Sequence, residues 1–140
     1  MMSAEIPSAA RHLFVEPNLG WVSTLMADGA PQLTAVWVDL DGSTVLINTL
    51  EGRLKERNIR RDGRVAVGIA DRENPYESVA VQGRVEEISA EGASEHLDRL
   101  AQRYLGEDRY PYGARGDVRL IVRIEPERVH YFNPATAASD

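Results

Sequence analysis

Six of the sixteen basic residues of this chain fall between positions 53 and 64: Arg53, Lys55, Arg57, Arg60, Arg61 and Arg64. Lys55 is the single lysine, and the chain as a whole is acidic, with a formal charge of −6. The chemistry open to such a cluster is to hold an anion. The segment TLEGRLKERNIRRDGR reads as a short helix over 53–62, ended by Gly63 in the left-handed position that commonly closes a helix. Cations suit the last turn of a helix and oppose its dipole in the first. Arg60 and Arg61 are therefore well placed, whereas Arg53 and Lys55 are not, and Glu51 and Glu56 offset only part of the mutual repulsion. Two readings stand side by side. In one, the helix presents a solvated face with Glu56 paired to Arg60 at i+4. In the other, the free N–H groups at the helix start join Arg53 and Lys55 around a phosphate. Thr49 would then add a hydroxyl, and Arg57 and Asn58 would reach the same ligand or pack against the sheet.

Little else in the chain points to chemistry. Neither G-x-G-x-x-G nor G-x-x-x-x-G-K-[ST] occurs, so both common phosphate-cradling loops are missing. His12, His96 and His130 fall in separate elements without metal-ligand spacing and read as surface or packing residues. There is no G-x-S-x-G elbow. Glu86 and Glu87 are strand neighbours that face opposite ways and form no acid/base pair. The absence of cysteine removes disulfide and thiolate chemistry and is compatible with a reducing cytosol. An enzyme built on this chain would borrow its chemistry from a cofactor. A pI near 5.1 argues against general nucleic-acid binding. The start MMSAEIPSAARHLF lacks a basic stretch followed by an apolar run, so no signal peptide is expected. The longest apolar run, VAVGIA at 65–70, is far short of the roughly 20 residues that cross a membrane. A cytoplasmic protein without membrane or nucleic-acid partners is expected.

The elements that must position the cluster follow from pattern. A short helix at 8–15 precedes three strands, 20–27, 31–40 and 43–49, joined at Asp28-Gly29 and Asp41-Gly42, a dipeptide that favours tight hairpins. After the basic helix come strands at 64–71 and 78–88, with Gly83 marking a bulge or a close backbone approach. Ser89 is placed to cap a second amphipathic helix, in which Ala93, Leu97, Leu100, Ala101 and Tyr104 form one apolar stripe ended by Gly106. A last strand lies within 118–132, and the tail PATAASD has nothing to bury. These elements predict a mainly β, α+β fold of one domain over 1–140: six antiparallel strands in a small barrel or sheet, with flanking helices.

NLGWVSTLMADGAPQLTAVWV, the Asn-Thr pair at 48–49, R-x-K-x-R-N-x-R-R-D at 53–62 and V-Q-G-R-V at 81–85 resemble the pyridoxamine-phosphate-oxidase-like split-barrel superfamily. The likeness runs over about 15–132 and is strongest to the actinobacterial branch of coenzyme F420-dependent reductases. It implies a split barrel and a homodimer with flavin or deazaflavin sites at the subunit interface. It places the cofactor phosphate on Arg53 and Lys55, with Arg57 and Asn58 close by. It lays the ring system along Gln32, Thr34, Val36 and Trp37, beside Asn48 and Thr49, and gives Tyr76 of a second subunit the part of closing the site. The residues alone leave Trp37 open between core and interface, and Tyr76 open as a simple loop anchor. The chain departs from pyridoxamine-phosphate oxidases proper, whose longer C-terminal region carries Arg and His for substrate phosphate; Arg128 and His130 match it poorly. The expected activity is hydride transfer from reduced F420 to a small conjugated substrate. Alternatives are an FMN-binding oxidoreductase of the same fold and a non-catalytic protein that binds a cofactor or tetrapyrrole.

Overall fold

The computed structural model describes residues 3–136, so the last four residues of the tail lie outside the described residues. Seven strands form one antiparallel sheet: β1 Gly20–Leu25, β2 Pro31–Val36, β3 Val38–Asp41, β4 Thr44–Leu50, β5 Arg64–Ala70, β6 Ser78–Ser89 and β7 Arg119–Phe132. Their order is β2-β1-β5-β6-β7-β4-β3. Three α-helices accompany them: α1 Arg11–Val15, entered through a 3-10 turn at Ser8–Ala10, α2 Leu54–Arg61 and α3 Ala93–Leu105. The α+β, mainly β class is as expected.

The seventh strand comes from 31–40, expected as a single strand, which breaks at Trp37. β2 and β3 are the two opposite edges of the sheet, so the chain passes from one edge to the other at this one residue. That passage curls the sheet into a half-barrel. Aromatic and polar groups of α3 hold the crossing. The Trp37 indole stacks on Tyr104, with centroids 5.1 Å apart and planes 9° apart. The Val38 N–H donates to Tyr104 Oη, and its carbonyl accepts from Arg103.

Both Asp-Gly hairpins are present, with Gly29 (φ 87°) and Gly42 (φ 62°) in the left-handed region. Period-two alternation turns Val22, Val65, Val67, Ile69, Val79 and Val81 inward, where they meet Leu13 and Phe14 of α1 in one buried cluster. Gly83 marks a register shift against β7, and a Cβ there would lie 2.4 Å from the Glu125 carbonyl oxygen.

Three local expectations change. Gly63 is not left-handed. α2 ends at an extended Asp62 and runs straight into β5, and the Gly63 carbonyl accepts from Val85 N–H at 2.8 Å. Ser89 does not cap α3: β6 extends through it, and the helix starts at Ala93 after Gly92 at φ 73°. The Ser89 hydroxyl instead accepts from Glu91 N–H in the intervening turn. Glu86 and Glu87 sit at a second register shift, so strict alternation does not govern them; both are exposed.

Candidate functional site

A cavity of about 610 Å³ opens between β2 on one side of the split and β4 on the other. That is a usual size for a small-molecule or cofactor site. Its two ends differ in chemistry. Val36, Trp37, Leu97 and Leu100 give an apolar wall, while Arg53, Lys55 and Arg119 give a cationic end.

The cationic end has no ion-paired counter-charge among the described residues, and Asp117 acts on Arg119 only from beyond ion-pair distance. Among the described residues no carboxylate lies within ion-pair distance of Arg53, Lys55 or Arg119. Burial lowers the pKa of the Lys55 ammonium below its ordinary value, and the charges of Arg53 and then Arg119 push it the same way. Arg119 is lowered chiefly by its own burial. The α2 helix adds to this field. Arg53 occupies its N-cap without a capping side chain, and no protein acceptor among the described residues meets the first-turn amides of Leu54, Lys55 and Glu56. An anion placed here would meet free N–H groups and unpaired cations together. Glu56 does not neutralise the site. Its Oε1 accepts from the N–H of Gly52, the residue before the N-cap, at 2.8 Å, and its Oε2 pairs with Arg60 at i+4. The backbone hydrogen bond from Gly52 is the main cause of its lowered pKa.

Gln32, Thr34, Val36, Trp37, Asn48, Thr49, Arg53 and Lys55 all line the cavity. Gln32 Oε1 accepts from Thr24 and Asn58, and its Nε2 meets no acceptor among the described residues. Thr34 Oγ1 is the one buried side-chain polar atom left without a partner among them. Unpaired buried polar groups are uncommon and call for a ligand or water. The residue types therefore fit a flat, phosphate-bearing cofactor: cations and amides at one end, unpartnered polar atoms along β2, and apolar side chains beside them.

Arg57, Asn58 and Tyr76 lie outside this cavity. Asn58 is 1 % exposed and ties α2 to the β1–β2 hairpin through Thr24 Oγ1 (3.1 Å) and Gln32 Oε1 (3.2 Å). Arg61 holds Asn58 Oδ1 and the Leu25 carbonyl in turn. Of the two uses foreseen for Asn58, packing is the one seen. Tyr76 is 73 % exposed on the loop before β6. Sequence reasoning missed Arg119 and Tyr110, which stand 66 and 57 positions beyond Arg53 and join it only through the β4–β7 pairing and the loop before β7. Arg119 donates from Nε to Asn48 Oδ1 at 2.9 Å, and its guanidinium lies 5.5 Å from the Tyr110 ring centre.

A separate cluster also escaped notice. His12, Asp71 and Glu77 bring ligand-type atoms within 4.8 Å of one another. Glu77 Oε2 lies 3.2 Å from His12 Nε2 and accepts from Tyr131 Oη at 2.6 Å, which fastens α1 to the β5–β6 turn and β7.

A half-barrel split over a cavity with a cationic end defines a split-barrel class of protein. The chain belongs to the pyridoxamine 5'-phosphate oxidase family, whose model matches residues 6–133. No curated protein matches it by sequence. A solved structure of an F420 reductase is 29 % identical, with a TM-score of 0.79 over 89 % of this chain and 98 % of that one. A conserved hypothetical protein from Mycobacterium tuberculosis is 24 % identical, with a TM-score of 0.70 over 94 % and 86 %. A FAD-binding protein from Mesorhizobium loti shares the fold at 18 % identity, with a TM-score of 0.63 over 92 % and 96 %. Among the described residues no helix is long and apolar enough to cross a membrane.

Proposed function

We propose that this protein is a coenzyme F420H2-dependent reductase. The observation that carries the reading is the cluster of cations without carboxylate partners at one end of a cofactor-sized cavity, in a chain similar to an F420 reductase. Arg53, Lys55 and the first-turn amides of α2 bind the cofactor phosphate. Gln32 and Thr34 offer unpartnered polar atoms to the ring edge, while Val36 and Trp37 keep water from its face. When bound, the reduced deazaflavin supplies hydride to a small conjugated acceptor. No protein nucleophile is required. The side chains bind, orient and desolvate.

The reading extends to a homodimer. The outer face of the sheet carries Leu33 at 62 % exposure beside Trp21 at 46 %, and the neighbouring Gly68 has open space above it. A second copy on this face would cover that apolar surface. Tyr76, remote from its own chain's cavity, would then close the other copy's site. Anaerobic mixing of the protein with F420H2 and a series of conjugated enones tests the activity. Return of oxidised-deazaflavin absorbance is the expected result. Tight F420 binding with no oxidation by any acceptor would leave a storage or carrier protein instead.

A further inference from the structure

His96 is 0 % exposed on the inner face of α3, and the roles assigned above do not use it. Its hydrogen bonds run in one direction. Arg119 Nε can only donate, so the Asn48 atom 2.9 Å from it is the carbonyl Oδ1. The Asn48 amide nitrogen accordingly faces the Ala93 carbonyl at 2.8 Å and His96 Nδ1 at 3.2 Å. Nδ1 must therefore be the unprotonated, accepting nitrogen. The imidazole proton sits on Nε2 and donates to Asp39 Oδ2 at 3.1 Å. Asp39 is itself held by Arg103 and by the Leu40 N–H. A chain centred on the buried His96 thus runs from half-buried Asp39 through His96 and Asn48 to half-buried Arg119, with every donor and acceptor role assigned without choice of amide flip or tautomer. At its far end the terminal nitrogens of Arg119 meet no protein acceptor among the described residues and line the cationic end of the cavity.

We propose that His96 is a positioning residue: its accepting Nδ1 fixes the Asn48 amide, which aims the Arg119 guanidinium at the phosphate of a bound cofactor. The proposal rests on the cavity's being a phosphate site. Arg119 becomes the third cation of that site, and its direction is set from a fully buried histidine on α3.

A double-mutant cycle tests this, with His96→Phe, Arg119→Met and the double variant titrated with F420 by fluorescence and with inorganic pyrophosphate by calorimetry. His96→Phe is expected to weaken F420 and pyrophosphate about tenfold in the native background and less than about twofold once Arg119 is Met. His96→Asn, which keeps an acceptor near the Nδ1 position, is expected to stay within about threefold of the native affinity. Thermal unfolding of each variant shows that it is folded at the titration temperature, so that a change in affinity is read on folded protein. An equal loss of affinity in both backgrounds would overturn the proposal. If the native protein binds pyrophosphate with the predicted coupling but not F420, the cofactor reading fails and the positioning role survives. If it binds neither, both fail.

Discussion

Lys55 carries the sharpest prediction at the scale of the residue. Its ammonium is held below its ordinary value of 10.5 by burial, Arg53 and Arg119. A bound anion favours the charged form, so cofactor affinity is full while Lys55 is protonated and falls as pH rises through its lowered pKa. Titrations from neutral pH upward check this, and Lys55→Arg, which stays charged, is expected to flatten the profile. Arg53→Ala combined with Lys55→Ala is expected to weaken F420 binding by roughly a hundredfold, about tenfold for each charge-assisted contact. The charge anomaly was legible in the sequence, because a dipole argument needs only the helix and the positions of Arg53 and Lys55 along it. Arg119 was not. Its membership depends on the pairing of Thr49 with Leu120 and Leu50 with Arg119, a long-range register that no local pattern announces.

The hairpins and the amphipathic stripe of α3 could be read at the scale of the element, since Asp-Gly turns and 3.6-residue spacing are local signals. The break at Trp37 could not. The run 31–40 keeps its β character through that point, and Arg103, Tyr104 and Tyr110, brought in from elsewhere, explain the crossing. Gly63 was misjudged because a glycine after a helix has two uses, a left-handed cap or a close backbone pairing, and here the second applies. Gly83→Ala forces a Cβ against the Glu125 carbonyl oxygen. It is expected to cost about 1–3 kcal/mol, read as a lower midpoint of thermal unfolding. The Asp39 connection between β3 and α3 has a pH signature. Burial raises this carboxyl, but hydrogen bonds from His96 and Leu40 N–H, with the charge of Arg103, outweigh it and hold the pKa at about 2, below the ordinary 3.8. The stability it contributes is complete above pH 3.8 and is lost as pH falls through about 2. Asp39→Asn is expected to lower stability at neutral pH and to make its decline across that acid window shallower, as followed by denaturant unfolding.

At the scale of the whole molecule, the half-barrel leaves one face of β1, β2 and β5 without cover, and the proposed second copy supplies it. Leu33→Glu is expected to shift the native protein from dimer to monomer in sedimentation at micromolar concentration while leaving the fold intact by circular dichroism. A native protein that is already monomeric there would remove Tyr76 from the site. The overall class was accessible from strand number and hairpin chemistry, but closure was not, because it resides in which strands become edges. That closure brings β2, β4 and the start of α2 around one cavity, which Arg53 and Lys55 of the basic cluster line.

The central claim is that the cationic end of this cavity holds the phosphate of a deazaflavin. Fluorescence titration of the native protein with F420 and, separately, with FMN tests it most directly. Micromolar binding of F420 is expected, at least about tenfold tighter than FMN and weakened roughly a hundredfold in the Arg53→Ala, Lys55→Ala variant. Tighter binding of FMN would contradict the choice of cofactor, and F420 binding unchanged in that variant would contradict the site itself.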